Sequence, residues 1–170
     1  MPKVSVVIPC FNQGPYLEEA VDSVLAQTFQ DFEILVVDDG STDPETVRIL
    51  QNYNRPKTRV IHTTNQGLAM ARNNGIYEAL GDYILPLDAD DKIGTGYLAD
   101  AVPILDRHPD MGIVYSEAAY FGIRGGRWDL PEYSLDGILN HNLIFCTALF
   151  RRADWEAVGG YNVNMVYGWE

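Results

Sequence analysis

The strongest constraint on the fold is an alternation between short β-branched runs and apolar residues at helical spacing. Residues 4–8 (VSVVI) predict a buried strand that ends at Pro9, and residues 33–37 (EILVV) predict a second strand that ends at Asp38-Asp39-Gly40. The segment between them carries helically spaced apolar residues from Leu17 to Leu25, after a proline that suits a first helical turn. The sequence therefore predicts a β-α-β unit.

The same alternation continues through the chain. Asp43 is the predicted N-cap of a short second helix, and Pro103 predicts a kink or a late start in a later one. The further predicted elements are strands at 60–61, 83–87, 113–115 and 144–150, and helices at 67–80, around 98–105 and at 153–158. Residues 116–141 have no periodicity and several glycines, which predicts an irregular binding loop. We therefore expect an α/β fold with a mainly parallel sheet and helices on both faces.

Composition narrows the classes of protein. The 170 residues suffice for one domain, and 24 acidic against 12 basic residues give a formal net charge of −12. Because no basic cluster exceeds Arg151-Arg152, binding to DNA or RNA is not expected. Cys10 and Cys146 are far apart and favour a reducing compartment. Without a run of ~20 apolar residues or a cleavable leader, the sequence predicts a soluble, cytoplasmic protein.

Polar residues follow the carboxyl ends of the predicted strands, and ligands of open α/β sheets bind beyond these ends. Asp88-Ala89-Asp90 is the sharpest case, because residues two apart in an extended chain point the same way and can offer two carboxylates to one cation. Mg²⁺ or Mn²⁺ fits this chemistry, with Asp91 as a further candidate ligand. The alternative is that residues 88–91 form only a turn that caps the next helix.

A second acidic pair and an arginine complete the candidate site, and the alternative for the arginine is an ordinary surface residue. Asp38 or Asp39 could accept a hydrogen bond from a base or a ribose, although a turn is the alternative for this segment. Arg72 lies near the start of an otherwise apolar helix, where it could reach a base or a phosphate. No glycine-rich phosphate loop is present, so neutralisation of a diphosphate again favours a metal.

Other residues carry weaker signals. His62, His108 and His141 lack the spacing of metal ligands, and only His141 lies where a substrate contact is conceivable. Phe11, Trp128 and Tyr133 could form an aromatic platform for a sugar ring, although core packing is the commoner use of such residues. The sequence has no serine hydrolase motif.

Four motifs occur in one order: VVIPCFN (6–12), VVDDGSTD (36–43), NQGLAMARNNG (65–75) and LDADD (87–91). Together with residues 150–161 and the terminal Glu170, they resemble the family 2 glycosyltransferases, inverting nucleotide-sugar enzymes with a GT-A fold. The resemblance implies a donor part at 1–115 and an acceptor part at 116–170 of one domain. The donor would be a nucleoside diphosphate sugar, most often a uridine one, and the acceptor a saccharide or another hydroxyl compound.

The resemblance also implies roles for individual residues. Pro9 and Asp39 would contact the uridine, Arg72 the base or diphosphate, and Asp88 and Asp90 the ribose and the metal. Phe11, Asp38, Asn65 and Ala89 complete the implied donor-binding set, and which of Asp88, Asp90 and Asp91 touches the ion stays open.

The family's general base is an aspartate in a Glu-Asp pair, and the sequence ends at Glu170, the first residue of that pair. We therefore expect a C-terminally truncated domain that binds donor and metal but transfers sugar slowly. Peripheral association of the full-length protein with the inner face of the membrane is a further expectation.

Two other functions fit parts of the pattern. One is a catalytically silent nucleotide-sugar binding domain, which the missing aspartate favours. The other is a magnesium-dependent signalling receiver, in which Lys92 would be the lysine beside the acidic cluster.

Overall fold

The computed structural model describes residues 1–165, which form a six-stranded sheet, a separate hairpin and six helices. The strands are β1 (Val4–Cys10), β2 (Phe32–Asp39), β3 (Thr58–Thr63), β4 (Tyr83–Pro86), β5 (Ile113–Val114), β6 (Ala118–Tyr120), β7 (Gly126–Trp128) and β8 (Leu149–Arg151). The helices are α1 (Gly14–Leu25), α2 (Pro44–Gln51), α3 (Leu68–Tyr77), α4 (Tyr97–Arg107), α5 (Leu135–Ile138) and α6 (Arg152–Val158).

The main sheet has the order β3-β2-β1-β4-β8-β5. The first four strands in this order are parallel, whereas β8 runs antiparallel to both β4 and β5. The predicted α/β class and mainly parallel sheet are confirmed. The chain proceeds outward from β1 to β3 and then returns to the other side of β1, so a switch point lies between β1 and β4, where ligands bind in open sheets of this kind.

Two apolar layers cover the sheet. The larger packs α1 and α4 against one face, with Val6, Ile8 and Leu98 fully buried. The smaller packs α3 and α6 against the other face, around Val7 and Val37. Helices therefore cover both faces, as predicted.

The first two strands are longer than predicted. Pro9 does not end β1 but pairs with Val37 inside it. The carbonyl of Val7 accepts from the Leu87 amide at 3.0 Å, so the backbone N–H and C=O groups of odd-numbered β1 residues point toward β4. Strand β4 ends at Pro86, before it would pair with Pro9. A missing N–H therefore costs no ladder bond there. Asp38 and Asp39 likewise lie within β2 and pair with β3.

Helix α3 ends earlier than the predicted Leu80. The amides of Leu80 and Gly81 donate to Glu33 Oε1 at 2.7 Å and to Ser5 Oγ at 2.8 Å instead of continuing the helix. In α4 the predicted late start is wrong, because the helix begins at Tyr97 and continues through Pro103.

The segment at 116–141 is more ordered than predicted. It contains the β6–β7 hairpin and the short helix α5, so the expectation of irregular chain throughout is wrong. The predicted strand at 144–150 is also wrong in extent, since only Leu149–Arg151 pairs with neighbours. No helix within residues 1–165 has the length and apolarity needed to cross a membrane.

Candidate active site

The turn after β4 presents the acidic residues, and its geometry differs from the prediction. The Asp91 amide donates to the Asp88 carbonyl at 3.0 Å, so residues 88–91 form a tight turn and not extended chain. Ala89 is fully buried, as expected, while Asp90 is exposed. Carboxylate oxygens of Asp88 and Asp91, but not Asp90, lie within 4.8 Å of each other and of the Cys146 sulfur. We call residues 88–91 the acidic turn.

Arg72 connects α3 to the acidic turn. Its Nη2 donates to Asp88 Oδ1 at 2.8 Å, and its side chain is 1% exposed. The guanidinium also lies 5.7 Å from the centre of the Tyr161 ring. Burial by itself lowers the pKa of Arg72, but the adjacent charge of Asp88 outweighs it and the net pKa is raised. The permanently charged guanidinium of Arg72 is thus held in one position beside Asp88.

Cys146 was missed as a site residue. Its thiol donates to Asp88 Oδ2 at 3.2 Å, opposite the oxygen that Arg72 contacts. Burial, reinforced by the charge of Asp88, raises the pKa of Cys146 to about 12. The thiol therefore stays protonated near neutral pH and orients Asp88. A lone cysteine in an apolar segment has no spacing signal from which this contact could have been predicted.

The acidic turn fits a divalent cation. Asp88 and Asp91 supply hard oxygen ligands, and Mg²⁺ and Mn²⁺ are typically held by one or two carboxylates together with substrate phosphates. Burial, followed by repulsion from Asp88 and Asp90, raises the pKa of Asp91 to about 6. A cation between these carboxylates would offset that repulsion, whereas the protonated thiol is a poor ligand for a hard ion.

A cleft of about 810 Å³ opens onto the acidic turn and the end of Arg72. Its other walls come from the β6–β7 hairpin and from the segment before β8. Carboxylates, a guanidinium and aromatic rings therefore share one cavity large enough for part of a sugar nucleotide.

The other predicted donor-site residues lie outside this cleft, at the ends of β1, β2 and β3. Asp38 Oδ1 accepts from the Ser41 amide at 2.9 Å, and its Oδ2 lies 2.9 Å from His62 Nδ1. Asp39 is 3% exposed and accepts from the amides of Gln66 and Gly67 at 3.0 and 2.8 Å. Asp38 therefore orders the local turn after β2, which was the alternative interpretation of this pair, whereas Asp39 joins the end of β2 to the loop before α3.

Three more predicted residues lie near Asp38 and Asp39. Pro9 is buried in β1, Phe11 is 43% exposed just beyond it, and Asn65 is exposed, with its backbone packed against Gly40. Gly40 has a φ of +71°, and a Cβ there would lie 2.5 Å from the Asn65 amide nitrogen, so only glycine fits. The structure thus places the predicted donor residues in two groups along one edge of the sheet.

Asn12 is a second residue that sequence reasoning missed. Its Oδ1 accepts from the amides of Thr42 and Asp43 at 2.8 Å each, and it adopts a φ of +57°. This contact fastens the loop after β2 to the end of β1. Asp43 in turn caps α2 as predicted, accepting from the Thr46 amide at 2.8 Å.

The aromatic platform is only partly assembled. Trp128 lines the cleft, whereas neither Phe11 nor Tyr133 does. His62 lies near the end of β3, as expected, and His141 is exposed outside the cleft. Glu170, the predicted catalytic residue, lies outside the residues that the structure describes.

Comparison with known proteins gives one consistent family. The model of "Glycosyl transferase family 2" matches residues 5–167. The chain is 30% identical to the chondroitin synthase of Escherichia coli over 171 residues, which covers 97% of this chain and 25% of that protein.

Solved structures agree. S. aureus TarS 1-349 in complex with UDP-GlcNAc superposes with a TM-score of 0.74 at 28% identity, over 94% of this chain and 48% of that one. The mannosyltransferase PcManGT from Pyrobaculum calidifontis, in complex with GDP-Man and Mn²⁺, gives a TM-score of 0.69 at 24% identity, over 96% of this chain and 48% of that one, and supports the fold alone. These likenesses confirm the predicted GT-A fold.

The relatives are considerably longer than this chain. It spans 18% of a matched protein from Sinorhizobium fredii and 25% of the chondroitin synthase, and about half of the TarS 1-349 chain.

Proposed function

Because this chain belongs to glycosyl transferase family 2, we propose that it is a domain of an enzyme that transfers a sugar from a nucleoside diphosphate sugar to an acceptor hydroxyl, with a donor part at 1–115 and an acceptor part at 116–170. We further propose that the donor is a uridine diphosphate sugar, that a divalent cation is required and that the anomeric configuration inverts. The family relationship carries the general proposal, and the Arg72–Asp88 pair at the acidic turn carries the donor site.

The acidic turn and Arg72 would receive the donor diphosphate. A cation held by Asp88 and Asp91, or by Asp90 in the same turn, would supply Lewis-acid stabilisation of the departing diphosphate. Arg72 supplies a fixed positive charge beside Asp88, and Cys146 keeps that carboxylate in one orientation. Such preorganised charges stabilise a leaving group without reorganisation during the reaction.

The nucleoside half would lie along the ends of β1 and β2. Pro9, Phe11, Asp38, Asp39 and Asn65 stay proposed contacts of the base and ribose. TarS, whose structure holds UDP-GlcNAc, shares this fold over 94% of the present chain, which supports uridine as the base.

A general base must take the proton of the acceptor hydroxyl, and such a base contributes about 10²–10⁴-fold to the rate. The proposed acceptor part begins at residue 116 and includes the hairpin wall of the cleft.

The alternative function of a signalling receiver is less well supported. Lys92, which a receiver domain would need beside its acidic cluster, instead donates to Glu19 at 2.6 Å.

Calorimetric titration tests the donor assignment. UDP, GDP, CDP and ADP are compared in the presence of Mn²⁺, with UDP repeated in EDTA. We expect UDP to bind most tightly and only with the metal. Equal affinity for all four nucleotides would contradict the uridine proposal, and absence of binding by any of them would contradict the donor site itself.

A further inference from the structure

Three aromatic rings form one wall of the cleft. Tyr120 and Trp128 stack with centroids 5.2 Å apart and ring planes 9° apart, and Phe145 meets Trp128 edge-on at 4.8 Å. All three line the cleft, and Trp128 is 43% exposed. We call Tyr120, Trp128 and Phe145 the aromatic wall.

The hairpin register explains why these rings gather. Ala118 pairs with Trp128, and Tyr120 pairs with Gly126, so alternation along both strands places the two aromatic residues on one face. The side chain of Arg127 lies on the opposite face of β7 and forms salt bridges with Glu117 and Asp129 at 2.5 and 3.2 Å. Tyr120 and Trp128 thus share one face of the hairpin and both line the cleft, together with Glu117 and Ala119 of the other face.

Sequence neighbours of the aromatic wall contact the acidic turn and the residue that follows it. Phe145 immediately precedes Cys146, whose thiol donates to Asp88. Lys92, which follows the acidic turn, lies with its Nζ 4.3 Å from the ring centre of Phe121 at the end of β6. The wall therefore lies in the same cleft as the carboxylates that would hold the donor diphosphate.

Building on the proposed function, we propose that the aromatic wall binds a pyranose ring of the acceptor, so that the acceptor is a saccharide. The C–H face of a pyranose is apolar and packs flat on an aromatic ring, while its rim of hydroxyls requires polar partners. Ser116, Asn142 and Thr147 line the same cleft and provide such groups. The exposed aromatic surface has no core to join, since the buried clusters of the described residues do not include it.

The test uses the full chain saturated with UDP and Mn²⁺. Methyl β-glucopyranoside, methyl N-acetyl-β-glucosaminide and chitobiose are the probes, and sorbitol is the control polyol, which has hydroxyls but no ring face. Binding is followed by ligand-observed NMR and by the indole N–H signal of Trp128, which the Trp128→Phe variant identifies. The buried Trp155 supplies an internal reference signal.

We expect at least one pyranoside to shift the Trp128 signal without shifting that of Trp155, and sorbitol to shift neither. Trp128→Ala should weaken pyranoside binding about tenfold, and Trp128→Phe should retain most of it. Ile123→Ala is the matched control, because Ile123 is fully exposed on the same hairpin and lies outside the cleft. It should bind like the parent.

Several results would overturn the proposal: no pyranoside binding, unchanged pyranoside affinity in Trp128→Ala, or equal binding of sorbitol. UDP affinity is measured on each variant by calorimetry. If UDP and Mn²⁺ bind normally while the pyranosides fail these tests, the acceptor assignment alone is wrong. If UDP does not bind to the parent protein, the proposed function fails first, and with it the acceptor assignment.

Discussion

Arg72 Nη2 donates to Asp88 Oδ1 at 2.8 Å, which joins the interior of α3 to the acidic turn after β4. The arginine side chain is 1% exposed, whereas the aspartate side chain is 29% exposed and faces the cleft. Because desolvation of a buried charge offsets much of the gain from such a pair, its main effect is to fix the position of Asp88.

Arg72→Met tests this pair. The variant keeps an unbranched side chain of lesser length but leaves Asp88 without its charged partner, so we expect the free energy of unfolding to fall by about 2 kcal/mol in urea denaturation. The double variant Arg72→Met/Asp88→Leu should recover part of this loss, because it removes the unpaired charge. A double variant that is as unstable as the sum of the two single variants would show that the residues do not interact.

Asp91→Asn should stabilise the metal-free protein in a pH-dependent way. The pKa of Asp91 is raised to about 6 in the fold, above its value of 3.8 in a model peptide, so folding favours the protonated form. The charged form therefore lowers stability above pH 6, and this penalty disappears as the pH falls below about 4.

The measurement is urea denaturation in EDTA at pH 7.5 and pH 4. We expect the asparagine variant to exceed the parent by about 1 kcal/mol at pH 7.5, a value reduced for partial exposure, and to match it at pH 4. A variant that is less stable than the parent at pH 7.5 would refute the repulsion within the acidic turn.

Cys146 should react slowly with alkylating agents. Burial and then the charge of Asp88 raise its pKa to about 12, and only the thiolate is nucleophilic. We expect iodoacetamide at pH 8 to modify Cys146 at least about a hundredfold more slowly than free N-acetylcysteine, as measured by peptide mass spectrometry. Asp88→Asn should increase the rate, since it removes the neighbouring charge, and a rate equal to that of the free thiol would contradict the buried contact.

Gly75→Ala should destabilise the packing of α3 on the sheet. A Cβ at this position would lie 2.4 Å from Val7 Cγ1 and 2.9 Å from Val37 Cγ2. Overpacking of this kind typically costs about 1–3 kcal/mol in the free energy of unfolding. With Val7→Ala added, the double variant should be more stable than the sum of the single changes predicts, and simple additivity would contradict the close approach.

Much of the fold followed from short-range pattern. The β-branched runs of β1 and β2 and the helical spacing in α1 are local signals that burial reinforces, so class and element order could be predicted. The lengths of β1 and β2 could not, because Pro9 is tolerated only where β4 has already ended. Likewise, α3 ends before the predicted Leu80, and side chains from β1 and β2 accept from the amides of Leu80 and Gly81 beyond it.

The site was predictable in its residue types and less so in its geometry. Arg72 and Asp88 were both selected from sequence, and the structure brings them into contact. The turn at Asp88–Asp91 replaced the expected extended chain, and Asp91 joins Asp88 and Cys146 in one group of possible ligands. Cys146 is 58 residues from Asp88, and no local sequence pattern predicts a contact at that separation.

The Mn²⁺ dependence of UDP affinity tests the central claim most directly, that the acidic turn binds the donor diphosphate through a cation. Calorimetry compares the parent with the Asp88→Asn/Asp91→Asn double variant and with Asp110→Asn, an exposed aspartate outside the cleft, as the matched control. We predict that Mn²⁺ increases UDP affinity at least about tenfold in the parent and in the control but not in the double variant. Equal metal dependence in all three proteins, or none in the parent, would contradict the claim.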